Sequence, residues 1–406
     1  MAQGSQELTG GKAPGNLVLG VCQSQIAIRD QRAPNLTTMS DRRLPLEILD
    51  YIVDLLHDEP QALKNCCLVA KSWVPRTRKH LYNKIEITYR TDLEAWWKVF
   101  PDPGSSPGHH TRSMLFHGFG FIATGGYGMV RPFSNVVRLE MWDGKAYLSP
   151  YLTTPQFLQL ICSFPLLEDM YVGIHGVGNS KHKDEPLFQP RVPLPLTGTL
   201  SLNLDKGIGD VTRELLGLPH GIHFRRFSCV WRFEQDYRWV MALVERCSDT
   251  LEYVEIDRNQ HSSLALIDLS KATKLREVAF WFTSDPTWIK NSLRTILPEH
   301  RDLQKILIYG DPYYDILPNE PVGSKEVVGE EIYKQWMELD GLLVRLWESR
   351  AVRTKLTVRR KGGRVYNLAT GLLPEMTKRG IIQSVTYPDG HRPPQLLWPW
   401  RNRDKK

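Results

Sequence analysis

Two short segments near the amino terminus, residues 44–56 and 62–73, contain more apolar positions than one buried helix face needs. These positions form two stripes at helical spacing in each segment, Ile48/Ile52/Leu55 and Leu49/Val53/Leu56 in the first and Leu63/Cys67/Ala70 and Cys66/Val69/Trp73 in the second. Pro45 and Pro60 suit the first turn of a helix, where the missing N–H costs no hydrogen bond. Two stripes on one short helix predict burial on two sides, one against its own domain and one against a partner.

A second pattern recurs through the middle of the chain, in which one position is followed by apolar residues three and five positions later. Seven copies occur, with first positions 24 to 31 residues apart: Val136/Leu139/Met141, Leu167/Met170/Val172, Thr197/Leu200/Leu202, Phe224/Phe227/Cys229, Leu251/Val254/Ile256, Leu275/Val278/Phe280 and Leu303/Ile306/Ile308. Two weaker copies precede them, Tyr82/Ile85/Ile87 and Thr111/Met114/Phe116. Helical patterns at 158–164, 237–247 and 289–297 supply the return path that parallel strands require.

This repeat resembles degenerate leucine-rich repeats, in which each unit adds one short strand to a parallel sheet on a curved solenoid. The resemblance implies an α/β solenoid with parallel strands, and the expected fold places a small three-helix amino-terminal unit, described next, before this solenoid. One unit cannot bury its apolar face without its neighbours, so the array is expected to fold as one domain. The usual Asn of the repeat is absent, and a generic α/β domain with irregular crossovers is the alternative.

The amino-terminal helix pair resembles an F-box. The residues that carry the resemblance are a Leu-Pro opening at 44–45, a Leu-Val-x-Lys-x-Trp block at 68–73 and a basic third helix at 76–82. Their wording is similar to the large F-box families of mushroom-forming fungi. An F-box binds the Skp-family adaptor of a cullin-based ubiquitin ligase, and the rest of the protein normally supplies the substrate. An ordinary helical hairpin buried within the protein is the alternative.

The resemblance implies which residues contact the adaptor. The positions that match the motif are Leu44, Pro45, Ile48, Ile52, Leu63, Leu68, Val69 and Trp73. The sequence leaves open which helical stripe faces outward. On this interpretation the chain is a non-catalytic substrate receptor, and its repeat region reads an unknown protein substrate. A scaffold that binds the adaptor without delivering a substrate is a further alternative.

The chain divides into five segments on these patterns. Residues 1–40 show no sustained periodicity and are expected to be disordered. The F-box-like unit covers 41–88 and the repeat region 89–310. Residues 311–330 are rich in Pro, Gly, Asp and Glu and predict a loop. An amphipathic helix, a last strand and a basic tail are predicted within 331–406.

The composition favours a reduced intracellular compartment. Hydrophobic residues make up 41% of the chain and charged residues 24%, values typical of soluble globular proteins. No apolar run reaches the length of a membrane span, and residues 1–16 lack the order of a signal peptide. The six cysteines form no Cys-x-x-Cys pair, as expected for thiols in the cytoplasm or nucleus.

The positive charge is concentrated at the carboxyl end. Residues 350–406 contain fourteen Lys and Arg against three acidic residues, a balance of +11, whereas the whole chain carries +7. Seven of these cations lie in 350–364, and with Tyr366 nearby they raise nucleic-acid binding as an alternative function. We favour the interpretation that these cations lie on the solvated face of an edge strand, where positive charge deters aggregation. Nucleic acid is therefore not the expected partner.

Few residues suggest catalysis, a cofactor or a metal. The glycine-rich run at 117–128 satisfies a relaxed Gly-x-Gly-x-x-Ala spacing, but further glycines and Pro132 follow where a phosphate-binding helix is required. We therefore predict an exposed loop. His109 and His110 lack a second pair of metal ligands, and no zincin or Walker-type sequence occurs. The sequence predicts no catalytic residue, cofactor or metal site.

Overall fold

The recurring apolar positions form one parallel β-sheet. The computed structural model describes residues 45–117, 126–142, 152–173, 177–178, 194–204, 207–231, 233–258, 266–282, 285–310, 330–350, 352–359 and 372–387. Within these ranges, eleven strands pair side by side in chain order. They are β1 (Lys84–Ile87), β2 (Ser113–His117), β3 (Arg138–Trp142), β5 (Asp169–Gly173), β7 (Thr199–Asn203), β8 (Arg226–Trp231), β9 (Tyr253–Arg258), β10 (Glu277–Phe282), β11 (Lys305–Gly310), β12 (Arg353–Arg359) and β13 (Ile382–Tyr387). Two short strands, β4 (Leu152–Thr153) and β6 (Val177–Gly178), pair with each other. The described residues therefore have an α/β fold built on a large parallel sheet.

The strand register follows the sequence repeat. The middle residues of all nine copies are consecutive partners across the sheet: Ile85, Met114, Leu139, Met170, Leu200, Phe227, Val254, Val278 and Ile306. A slip of one residue would turn every apolar side chain to the other face of the sheet, so burial of one face fixes this register. The nine predicted strand positions are confirmed, including the two weaker copies.

The helices of the described ranges lie before the sheet or between its strands. They are α1 (Leu46–Leu55), α2 (Pro60–Val69), α3 (Val74–Leu81), α4 (Arg90–Val99), α5 (Thr154–Ile161), α6 (Ile208–Leu216), α7 (Tyr237–Arg246), α8 (Thr287–Arg294), α9 (Glu330–Arg350) and α10 (Pro374–Lys378). The predicted returns correspond to α5, α7 and α8. Helix α5 begins four residues earlier than predicted, because Thr153 and Gln156 form a reciprocal capping box at its start.

The main hydrophobic core lies between the sheet and helices α4 to α10. The apolar face predicted for the helix at 331–349 is confirmed in α9, where Trp336, Leu339, Leu343 and Leu346 are buried and Ile332 is partly buried. The buried Lys290 of α8 donates to Gln335 and, at 2.7 Å, to Glu338 of α9. This pairing meets the requirement that a buried charge has a partner.

The sheet extends beyond both ends of the predicted repeat region. Strand β1 lies within the segment 41–88, and β12 and β13 follow residue 310. The strand predicted at 355–358 exists as part of β12, but its interpretation as the last strand at an edge is wrong, because β12 pairs with β11 and with β13. The predicted disordered segment 1–40, the glycine-rich residues 118–125, residues 311–329 of the predicted loop and residues 388–406 of the basic tail lie outside the described residues.

Candidate interaction surfaces

The first candidate surface is a set of exposed apolar side chains on α1 and α2. Seven of the eleven large apolar side chains that are exposed in the described ranges belong to these two helices, and we call them the apolar helix surface: Leu46, Ile48, Tyr51, Ile52, Leu55, Leu68 and Val69. Ile48 is 46% exposed and Leu55 is 63% exposed. Concentrated exposure of this kind marks interaction sites, whereas single exposed apolar residues are ordinary.

The opposite sides of the two helices are packed. Val53 of α1 and Leu63 and Cys66 of α2 are buried. Leu49 and Leu56 are half-buried, so the stripe Leu49/Val53/Leu56 faces the protein. The structure thus separates the two stripes of α1 and turns Ile48/Ile52/Leu55 outward.

The predicted contact residues fall into three groups. Five of them are exposed, namely Pro45, Ile48, Ile52, Leu68 and Val69. Leu63 is only 1% exposed and stabilises the helix pair, and Trp73 is half-buried at the start of α3. Leu44 lies outside the described residues. The motif match did not include Leu46, Tyr51 or Leu55. The helical spacing of Leu55 from Ile48 and Ile52 nevertheless indicates that Leu55 lies on the same stripe as these two residues.

An ionic cluster holds α1 against α3. The Arg76 Nε donates to Asp54 Oδ1 at 2.7 Å, and a second Arg76 nitrogen donates to the other carboxylate oxygen. His80 Nε2 lies 2.6 Å from Asp54 Oδ1. The hydrogen bonds from Arg76, and then the single hydrogen bond with His80, hold the pKa of Asp54 well below its usual range. The cluster therefore requires an ionised Asp54 and fixes the orientation of the exposed stripe.

We expect Asp54→Asn to destabilise the protein by about 1 kcal/mol at pH 7, a small effect because the ion pair is partly exposed to solvent. A carboxyl whose pKa is lowered by folding stabilises the fold above its unfolded-state pKa of about 3.9. This stabilisation is lost as the pH falls, so the difference between Asp54→Asn and wild type is expected to shrink below about pH 4. Urea denaturation at pH 7 and pH 3 measures the difference in the free energy of unfolding between the variant and wild type. The matched control is Asp58→Asn, at a carboxylate that is 87% exposed, which is expected to leave stability unchanged. Equal stability of Asp54→Asn and wild type at pH 7 would contradict the role of the cluster.

The second candidate surface is the face of the sheet that points away from the main core. A smaller apolar cluster lies there, formed by Tyr171, Tyr253, Ala279, Trp281, Leu307 and Tyr309, with Trp142 packed against it. The rings of Trp281 and Tyr309 are stacked with centroids 4.7 Å apart. Because successive side chains of a strand alternate between the two faces, a polar residue two positions from one of these aromatic residues, such as Glu255 after Tyr253, shares the same face.

Two buried carboxylates, Glu140 and Glu255, belong to this face. Glu255 accepts hydrogen bonds from Ser228 Oγ and Tyr253 Oη, both at 3.2 Å, and from Trp281 Nε1 at 3.1 Å. Burial raises the pKa of Glu255 to about 7, although these hydrogen bonds act in the opposite direction. The face therefore contains a carboxyl group that exchanges its proton near neutral pH.

The two histidines singled out in the sequence lie in a 3₁₀ helix, Pro107–His110. Their ring centroids are 3.9 Å apart, and His109 Nδ1 lies 2.7 Å from the Ser106 carbonyl oxygen. Burial lowers the pKa of His110, since it disfavours the charged imidazolium. No group of three or more His, Cys, Asp or Glu side chains suited to a metal ion occurs in the described ranges.

Comparison of the chain with protein-family models and with curated proteins finds no match. None of the helices in the described ranges combines the length and apolar character that crossing a lipid bilayer requires. Functional interpretation therefore rests on the two surfaces, which differ in chemistry. The apolar helix surface suits another protein, and the aromatic sheet face combines rings with buried polar groups.

Proposed function

We propose that this chain is an F-box protein, the substrate-receptor subunit of a Skp–cullin–F-box ubiquitin ligase. The observation that carries the proposal is the outward orientation of Ile48, Ile52 and Leu55 on α1, together with the exposure of Leu68 and Val69 on α2. Four of these five residues match the F-box positions expected to contact the adaptor. Binding of the adaptor would bury these apolar side chains and remove their area from water, which stabilises the complex.

The proposal includes a leucine-rich-repeat-like solenoid as the substrate-binding part. Three features support this interpretation: the strands are parallel, they pair in chain order, and the middle positions of the sequence repeat are in register. Such an array presents a broad sheet face to a partner. The β1 strand follows α3 after two residues, so the adaptor-binding helices and the sheet are joined by a very short connection.

In this function the chain makes and breaks no covalent bond. It holds a substrate close to a ubiquitin-loaded conjugating enzyme that the cullin scaffold carries. Holding the two together raises the effective concentration of a substrate lysine near the reactive thioester. The chain contributes the position of the substrate and the choice of the substrate.

We expect the double variant Ile48→Glu, Leu55→Glu to bind the purified Skp-family adaptor at least about 100-fold more weakly than wild type, a change of about 2.7 kcal/mol. Each substitution removes an apolar contact and places a carboxylate where the complex excludes water. Isothermal titration calorimetry with the full-length chain measures the affinity. Circular dichroism checks that the variant is folded, which is expected because both side chains are exposed.

The matched control is Leu166→Glu, Leu297→Glu. These leucines are 42% and 41% exposed but lie outside α1 and α2, so their substitution is expected to leave adaptor affinity unchanged. Unchanged affinity of the Ile48, Leu55 variant would contradict the proposed adaptor surface. Co-purification separates the scaffold alternative: a substrate receptor recovers adaptor and cullin, whereas a scaffold outside the ligase recovers the adaptor alone.

A further inference from the structure

A row of buried polar residues crosses the aromatic sheet face. Its members are partners in register on five neighbouring strands, and we call it the polar row: Glu140, Tyr171, Ser201, Ser228 and Glu255. All five are buried. Polar side chains on a sheet normally face water. Burying a polar atom without a hydrogen-bond partner is costly, so each polar atom of this row is expected to have one.

One end of the polar row meets this expectation. Both carboxylate oxygens of Glu255 accept hydrogen bonds, from Ser228, Tyr253 and Trp281. This end is complete within the chain and requires no external partner. It provides a reference for the other buried carboxylate on the same face.

The other end is incomplete. Glu140 Oε1 accepts from Arg138 Nε at 2.8 Å, but Glu140 Oε2 and Arg138 Nη2 are buried without a hydrogen-bond partner among the described residues. The Ser201 hydroxyl, two strands away, is in the same condition. The Arg138 guanidinium lies 4.4 Å from the centroid of the Tyr171 ring, which fixes its plane. One acceptor, one donor and one hydroxyl are thus held in place without partners.

The charges of these groups restrict the ligand. Arg138 and Glu140 already neutralise each other, so a charged ligand would lose its hydration without gaining a counter-ion. A neutral amide donates its N–H to the carboxylate and accepts from the guanidinium through its carbonyl oxygen. The side chain of Arg138 is 28% exposed and that of Glu140 is 2% exposed, so a ligand that approaches at Arg138 reaches Glu140 Oε2 only after local rearrangement of the groups that cover it.

We propose that Arg138, Glu140 and Ser201 form a subsite that binds neutral amide groups of a protein substrate. The amide is the carboxamide of an Asn or Gln side chain or a peptide group of an extended segment. Ser201 lies about 10 Å from Glu140 across two strand spacings, a distance that about three extended residues cover. The inference rests on the proposed function, since it states what the repeat sheet recognises in its substrate.

A phage-displayed library of random 12-residue peptides, selected on the full-length wild-type chain at pH 7, tests the subsite. Synthetic copies of the enriched peptides are then titrated by fluorescence polarisation against wild type and the Glu140→Gln variant. At the enriched position, wild type is expected to prefer Gln over Glu by about tenfold. In Glu140→Gln the Arg138 cation lacks its counter-ion, so the preference is expected to reverse toward Glu. This reversal is not expected of a residue that only supports the fold.

The matched control is Glu255→Gln, the same change on the same face at the complete end of the polar row. It is expected to keep the wild-type preference. If the peptide main chain is the ligand, no position is enriched in Asn or Gln, and Glu140→Gln weakens binding where Glu255→Gln does not. The proposal is overturned if no peptide is selected, or if the peptides bind wild type and both variants alike, as expected when buried water satisfies Glu140 and Arg138. Adaptor affinity is measured separately, so failure of the subsite is distinguishable from failure of the proposed function.

Discussion

Replacing Trp96 with alanine is expected to lower the free energy of unfolding by about 3–5 kcal/mol. Trp96 is fully buried in α4 and lies against three rings, with centroids 5.6 Å from Tyr82, 5.0 Å from Phe100 and 5.0 Å from Phe133. Its Nε1 donates to Ser106 Oγ at 3.1 Å. Alanine removes this packing and leaves the buried Ser106 hydroxyl without that donor, so lost contacts and a cavity combine.

The neighbouring Trp97 offers a matched control. It is half-buried, and its Nε1 donates to the Met129 carbonyl oxygen at 3.0 Å. Trp97→Ala is expected to lower the free energy of unfolding clearly less than Trp96→Ala, because the Trp97 side chain buries less apolar area. Urea denaturation followed by far-ultraviolet circular dichroism gives both values. A loss for Trp96→Ala no larger than that for Trp97→Ala would contradict the central position of Trp96.

The effect is expected to reach the apolar helix surface. Tyr82 immediately follows α3 and is partly buried against the main core. Its edge contact with Trp96 therefore links the amino-terminal helices to α4, which in turn contacts the first strand of the sheet. Loss of this contact is expected to loosen the orientation of the proposed adaptor surface relative to the sheet.

The sheet could be predicted because its signal repeats. Each strand buries side chains such as Leu139 and Met141 against the helices, and the same spacing returns in every unit. Even the weak copy at Ile85 and Ile87 pairs as its spacing predicts. Strand β13 was missed, because Ser384 follows Ile382 at a position where the repeat has an apolar residue.

The candidate surfaces were harder to predict, because burial depends on neighbouring elements. The spacing of Ile48 and Val53 marks two stripes, but the side that faces solvent is decided by how α1 packs against α3. Leu63 matches the motif and is nevertheless buried. The polar row was not predicted, because polar residues such as Glu140 and Ser201 within a strand are normally exposed to solvent. Their burial is seen only in the assembled sheet.

The stability of the protein is expected to fall by about 3 kcal/mol between pH 4.5 and pH 7 through Glu255 alone. Burial raises the pKa of Glu255 to about 7 in the folded state, whereas an unfolded Glu titrates near 4.3. Between these values the folded chain holds a proton that the unfolded chain has released. This stabilisation is complete below the unfolded-state pKa and is lost as the pH rises through the folded-state pKa.

Glu255→Gln removes the titrating group while keeping its shape. The Gln carbonyl still accepts from Trp281 Nε1, and the hydroxyls of Ser228 and Tyr253 accept from its amide. The difference in unfolding free energy between pH 5 and pH 8 is therefore expected to be smaller in the variant by about 2–3 kcal/mol. Urea denaturation at the two pH values, with wild type alongside, measures this difference.

Glu277→Gln is the matched control for this pH effect. Glu277 is a half-buried carboxylate on β10, with its Oε2 3.4 Å from Lys305 Nζ, and the change in the pH profile is expected to be larger for Glu255→Gln than for Glu277→Gln. An unchanged profile in Glu255→Gln would mean that Glu255 ionises with its ordinary pKa in the folded protein. The buried end of the polar row would then admit enough water to solvate a carboxylate. The expected flattening instead identifies a closed, internally hydrogen-bonded carboxyl group, which is the property that distinguishes Glu255 from the incomplete pair of Arg138 and Glu140.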